Sequence, residues 1–227
     1  MRVHSRELLL RAAEGVFTEC GVAGAKVEDI ARRAGVSKEE FYLYFDGENG
    51  VLKEIAEAWF ARCTALFAGP AEYPDSPSDP DGLLDFCIER DVQLYSFMWQ
   101  SRVTMRLLAS CQEQEEYAFL FVAFREDIQR RHREWIQHLR RDGLFRGDVD
   151  VDLAATLVGG AYEDLALKMN RSERRPPFEK WLEFAQDTFI RAFGSPEIIA
   201  SLDRRNRRAT RAAVAERGRA FVAIGST

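Results

Sequence analysis

The chain is poor in the features that would tie it to a membrane, a metal or an oxidising compartment. Its 227 residues hold only four cysteines (Cys20, Cys63, Cys87 and Cys111), with no CxxC pair and each inside an apolar helical pattern. Isolated thiols in that setting behave as small core residues of a reducing compartment. The three histidines, His4, His132 and His138, show no metal-ligand spacing with them, so neither a metal nor a cofactor is expected. No apolar run approaches the ~18 residues of a membrane span. Arg2, Arg6, Glu7 and Arg11 break up any apolar core of an export signal between Met1 and Ala13. The expectation is a cytoplasmic protein with no membrane partner. Positive charge is short as well: the formal net charge is −5, so a contact with nucleic acid has to come from a local patch. There is no GxSxG, no phosphate-cradling glycine loop, no HExxH and no Cys–His pair at useful spacing, which argues against an enzyme.

Helical periodicity is abundant, and no clean two-residue alternation marks a strand. With 46% apolar and 30% charged residues the chain can bury a core. The spacing predicts a first helix from about Ser5 to Cys20, ended by Gly21, then short helices over Val27–Ala34 and Lys38–Phe45. A longer helix follows over Glu48–Phe67. Residues Gly69 to Gly82 carry Pro70, Pro74, Pro77 and Pro80 and read as a helix-free connection. Further helices are expected at about 82–100, 102–112, 114–141, 151–170 and 177–194, with a last one over Glu197–Val222. In that last segment Asp203 to Arg219 holds seven arginines against Asp203 and Glu216. It is open whether they form an auxiliary DNA or partner contact or a solvated helix face. The fold class is all-α.

The strongest local signal runs from Ile30 to Phe45. Two helices that cross steeply need a small residue at the contact, supplied by Ala31, and a turn residue free to adopt positive φ, supplied by Gly35. Ile30, Ala34, Val36 and Phe41 can fill the small core beneath, and Ser37 can cap the second helix. This is the pattern of a helix-turn-helix.

The chain here resembles the TetR family of transcription regulators. The resemblance rests on Arg6, Ala12, Ala13, Phe17 and Gly21, then Val27-Glu28-Asp29-Ile30-Ala31, Ala34-Gly35-Val36-Ser37 and Phe41-Tyr42-x-Tyr44-Phe45, ending near Leu52. It implies an N-terminal three-helix helix-turn-helix domain (1–47) and a larger helical ligand-binding and dimerisation domain (48–222), with the arginine-rich helix at 197–222. It implies double-stranded operator DNA as partner, with Lys38, Glu39 and Glu40 facing it and the hydroxyls of Tyr42 and Tyr44 at phosphates. Lys26 adds a phosphate contact, and Ser37 opens the helix that enters the groove. Packing of the two tyrosines on neighbouring helices is the alternative.

The reading head departs from the family's habit. Glu39-Glu40 stand where a small pair is common, and Glu48 where a lysine is common. Residues 1–50 carry seven basic against nine acidic side chains, net −2. A glutamate can accept from cytosine N4, or face outward without a role. Modest, steeply salt-sensitive DNA binding is expected.

The same resemblance implies a small-molecule pocket, which the aromatic-rich second part could line. On the helix at 82–100, Leu84, Cys87, Ile88, Tyr95 and Met98 form an inward stripe, and Asp91 falls on it. A carboxylate there binds ligand, is matched by an internal arginine, or sits at a rim. Phe67 and Phe86, with Met105, Phe121, Phe124, Arg125 and Tyr162, complete the expected lining, which suits a lipophilic or aromatic effector. His132 reads as structural. The helices at 151–170 and 177–194 are the expected homodimer surface. Leu153, Leu157, Val158, Ala161, Leu165 and Met169 face Trp181, Phe184, Ala185, Thr188, Phe189 and Ala192, and Gly159-Gly160 permits close approach. Alternatively these faces complete a monomer core. The function expected is a ligand-responsive repressor released from a palindromic operator. The alternative is a regulator-like binding protein with weak or lost DNA recognition that acts through a ligand or protein partner.

Overall fold

The computed structural model describes residues 2–67, 79–112 and 117–209. Among them it forms nine helices: α1 (Arg2–Cys20), α2 (Val27–Ala34), α3 (Lys38–Tyr42), α4 (Glu48–Phe67), α5 (Pro80–Gln100), α6 (Arg102–Cys111), α7 (Ala118–Arg141), α8 (Val151–Asn170) and α9 (Phe178–Phe193). A further helical stretch covers 196–209. Among the described residues there is no strand, only an isolated bridge between Phe145 and Gly194. The chain is all-α, as its periodicity predicts. No helix of the described residues is long and apolar enough to cross a membrane.

Several boundaries moved, for local reasons. The α3 helix stops at Tyr42 rather than Phe45, because the Leu43 and Tyr44 N–H groups turn back to the carbonyls of Glu40 and Phe41, a tighter closure than an α-turn. The α5 helix begins at Pro80, two residues before the predicted start. Asp79 accepts the Gly82 N–H at 3.2 Å, so Asp79 caps and Pro80 takes the first helical position, where its missing N–H costs nothing. The prolines at 70, 74 and 77 and the arginines beyond 209 lie outside the described residues.

The chain divides into two compact units. The first comprises Met1–Ala68, Gln93–Ile128 and Ala166–Pro176. Its core joins Leu9, Ala13 and Phe17 of α1 to Ile30, Ala31, Phe41, Leu52 and Ala56, and these to Leu107, Leu108 and Cys111 of α6 and to Phe121. Polar bonds reinforce the core: Thr104 donates to Glu14, Tyr117 to Asn49 at 2.9 Å, and the Trp59 indole to Ser101 at 2.9 Å. The second unit comprises Gly69–Val92, Gln129–Leu165 and Pro177–Thr227. Leu83, Leu84, Ile136, Leu139, Leu144, Ala154, Ala155, Ile190, Ile198 and Leu202 form its core. There Gln186 donates to the Leu84 carbonyl at 2.9 Å. Arg204 and Arg205 lie 3.8 and 2.9 Å from Asp81 and Asp85, so these two arginines hold the last helix to the start of α5.

Gly35 ends α2 at φ 71°, ψ 28°, the left-handed conformation that a Cβ disfavours. Replacing Gly35 by Ala should lower stability by about 1–2 kcal/mol, measured as a shift of the urea midpoint at unchanged m-value.

Candidate nucleic-acid interface and buried polar cluster

In the helix-turn-helix, α2 packs Val27, Ile30 and Ala31 inward. Its acidic first turn (Glu28, Asp29) and basic last turn (Arg32, Arg33) match the helix dipole. After Gly35, Ser37 accepts the Glu40 N–H at 3.0 Å and caps α3. Phe41 is fully buried, edge-on to Tyr42 at 5.5 Å and tilted against Phe45 at 5.6 Å. With Phe41 inward, Lys38 and Glu39 are exposed, Glu40 is half-buried, Tyr42 is 51% exposed and Leu43 is 79% exposed. Tyr44 is half-buried and packs on the core, the alternative weighed for it. Lys26 is exposed just before α2.

The acidic residues have local partners. Lys38 donates to Glu28, which holds the Glu28 carboxyl below and the Lys38 ammonium above their ordinary ranges. Glu48 accepts the Val27 N–H at 2.7 Å. The residue read as a departure from a DNA-contacting lysine therefore caps α2 from the first turn of α4. Sequence reasoning missed this because the partners are 21 residues apart and neither carries a periodic signal. Arg6 pairs with Glu54 at 2.5 Å and lies over the Phe45 ring at 5.9 Å.

The second feature is a buried polar cluster in the second unit. Asp91 is 3% exposed. One of its oxygens accepts from Arg90 Nε at 3.0 Å and Nη2 at 2.8 Å, and the other from the Tyr162 hydroxyl at 2.6 Å. The Arg90 guanidinium lies over Phe86 at 6.0 Å and Trp135 at 5.6 Å. Burial opposes the arginine's charge, but Asp91 more than offsets it and the arginine stays protonated. Burial, with the adjacent carboxylate, raises the Tyr162 hydroxyl well above its ordinary range, and burial pushes the Cys87 thiol up to about 12. Asp91, Tyr162 and Phe86, all named as lining residues, come together around an arginine that sequence reasoning did not single out. Consecutive residues on a helix diverge by about 100°, yet Arg90 is long enough to fold back onto Asp91.

The other expected lining residues lie in the first unit. Phe121 and Phe124 pack on Phe60 at 5.4 and 4.4 Å. Tyr95 and Met105 are buried, Phe67 and Met98 half-buried, and Arg125 is exposed. His132 is buried, its Nδ1 3.5 Å from where a Cβ on Gly159 would lie, and Gln129 lies closer still at 2.9 Å. Gly159 thus lies against side chains of α7, while Gly160 has nothing of its own chain within 4 Å.

Comparison with known proteins agrees with the helix-turn-helix. The family described as "Bacterial regulatory proteins, tetR family" matches residues 9–55. The HTH-type transcriptional regulator YdgC of Bacillus subtilis is 36% identical over 64 residues, 28% of this chain and 33% of YdgC. YvdT of the same organism is 41% identical over 51 residues, 22% of this chain and 26% of YvdT. The chain thus matches a third or less of the length of these relatives. In fold, a SmeT–triclosan complex superposes with a TM-score of 0.71 at 20% identity, covering 86% of this chain and 93% of SmeT. The fatty acid degradation regulator FadR of Bacillus halodurans gives 0.64 at 17% identity, over 81% and 93% of the two chains. Residues 9–55 therefore match a TetR-family helix-turn-helix, and the likeness over the rest of the chain is one of fold.

Helices α8 and α9 divide their apolar residues between core and surface. Leu153, Leu157 and Phe184 are 64%, 60% and 76% exposed. Met169 and Ala185, expected on the same surface, are buried in their own units' cores, a correction that follows from helix phase. Tyr162 stacks on Phe189 at 6.1 Å and so joins α8 to α9 within one chain.

Removing the Asp91 carboxylate leaves Arg90 buried without its counter-ion. Asp91→Ala should cost about 3–5 kcal/mol by denaturant unfolding. Tyr162 takes up its native hydroxyl proton more tightly than in the unfolded chain, so its contribution is complete below the ordinary tyrosine value of about 10 and declines as pH rises beyond it. The Tm gap between wild type and Tyr162→Phe should stay constant to about pH 9 and narrow above about pH 10.

Proposed function

We propose that this protein is a ligand-responsive, DNA-binding transcription regulator that acts as a homodimer, a repressor released from a palindromic operator by a small lipophilic or aromatic effector. The observation that carries the reading is the α3 surface. A capped short helix buries Phe41 and turns Lys38, Glu39, Tyr42 and Leu43 outward from a head that matches the TetR family. In this reading residues 1–47 bind operator DNA, with Lys26, Ser37, Lys38, Glu39, Glu40, Tyr42 and Tyr44 at the interface. Residues 48–222 bind the effector and pair the subunits through α8 and α9. The exposed Leu153, Leu157 and Phe184 support pairing there, because two recognition helices one DNA turn apart read a palindrome. The Asp91–Arg90–Tyr162 cluster supports an effector site, since buried charge among aromatics is costly and concentrates at functional positions. The likeness to SmeT, a repressor seen in complex with triclosan, supports effector-controlled repression. The protein works by binding rather than catalysis, in the cytoplasm.

A second reading has its own support: a regulator-like protein with weak or lost DNA recognition, acting through a ligand or protein partner. The head is net −2 over residues 1–50, and Lys38 is engaged by Glu28.

Salt titration separates the two. The wild-type protein should bind duplex DNA from upstream of its own coding sequence at low salt, with affinity falling steeply as salt rises. Lys26→Ala should flatten the log–log slope by about one counterion, and Glu28→Gln, by freeing Lys38, should steepen it by about one. Absence of wild-type binding even at low salt defeats the regulator reading in favour of the second.

A further inference from the structure

Helix α3 presents a chemically unusual pair to the outside. Glu39 and Leu43 stand four residues apart, on one face of the helix, and both are exposed. Phe41 and Phe45 fill the core and Tyr44 packs against it, whereas Leu43 is 79% exposed. Between Glu39 and Leu43, Glu40 is half-buried and Tyr42 is in edge contact with Phe41. The adjacent lysine, Lys38, is drawn back to Glu28 on α2. The outward face is therefore an acceptor-only carboxylate beside a bare isobutyl group. The Glu39 N–H and the Ser37 hydroxyl both donate to that carboxylate and hold it ionised, below the ordinary glutamate range.

We propose that Glu39 and Leu43 are the base-reading pair of this regulator, Glu39 selecting cytosine and Leu43 selecting thymine within about two base steps of it. The assignment rests on the DNA-binding reading above and adds its specificity. In the major groove a carboxylate can only accept. Guanine offers N7 and O6, both acceptors, and thymine offers the O4 acceptor; each repels it. Adenine places its N6 donor beside the N7 acceptor, whereas cytosine offers N4–H2 with no acceptor alongside. The leucine side chain has no polar atom and meets its best partner in the thymine C5-methyl. Four helical residues rise about 6 Å against about 3.4 Å per base step, which sets the spacing between the two positions. Charge repulsion from phosphates is tolerable here because base edges lie away from the backbone, while Lys26 and Tyr42 remain to meet the phosphates.

The test is selection of a randomised duplex library by the full-length protein and its Glu39→Gln and Leu43→Ala variants, followed by affinity measurements on single-base variants of the selected duplex. Both side chains are exposed, so thermal melts of the variants should match wild type and exclude misfolding. Wild type should select a cytosine in each half-site with a thymine one or two steps away. Glu39→Gln should move the preference at the first position from cytosine to adenine by about tenfold, because an amide can both donate to N7 and accept from N6. Replacing the thymine by uracil, which lacks only the methyl, should weaken wild type about threefold and leave Leu43→Ala unchanged. Enrichment by wild type with a preference that Glu39→Gln does not shift, or a uracil penalty that persists in Leu43→Ala, overturns this assignment alone. Failure of wild type to enrich any sequence overturns the DNA-binding reading and the assignment with it.

Discussion

A helix of five residues has too few hydrogen bonds to hold itself together in water. α3 persists because Phe41 is buried completely beneath it and Ser37 caps its free N–H groups. Full burial of a phenylalanine is worth roughly 1.5–3 kcal/mol, and a good cap adds about 1 kcal/mol. Both offset part of the backbone entropy lost in ordering so short a helix. They also fix its rotation about its own axis: with Phe41 inward, Glu39 and Leu43 have nowhere to point but out. The surface chemistry of the head follows from one inward ring.

The buried cluster around Asp91 shows a different economy. An arginine, a carboxylate and a tyrosine hydroxyl lie together among Phe86 and Trp135. Leucines in their place would give comparable or better stability, since desolvation consumes most of the Coulombic gain of such a pair. What the polar groups provide is directionality. Each carboxylate oxygen has its own donor, so the side chains of α5 and α8 are set in one rotamer arrangement rather than several.

Much of this was legible from residue order, because it is governed by local physics. Helical phase places Ile30, Ala31 and Phe41 inward. Gly35 marks the left-handed turn and Ser37 the cap. Asp91 stands out because a carboxylate interrupts an apolar stripe. What escaped was interaction between residues distant in sequence. Glu48 bonds to Val27 and Tyr117 to Asn49 across 21 and 68 residues, and no periodicity announces either. Side-chain reach was also invisible: Arg90 looks solvent-facing by phase, yet bends back to its neighbour. Gly159, read as a place of close approach between subunits, lies against α7 side chains of the same chain.

The bond from Glu48 to the first N–H of α2 has a mechanical meaning. The opening residue of a twenty-residue helix caps the leading edge of an eight-residue one, so sliding one end past the other breaks a charge-assisted hydrogen bond worth about 1.5–3 kcal/mol. A displacement of the start of α4 is thereby resisted at α2 as well as through the intervening loop. The two helix ends make a joint stiffened by that bond, and the short α3 lies in the chain between them.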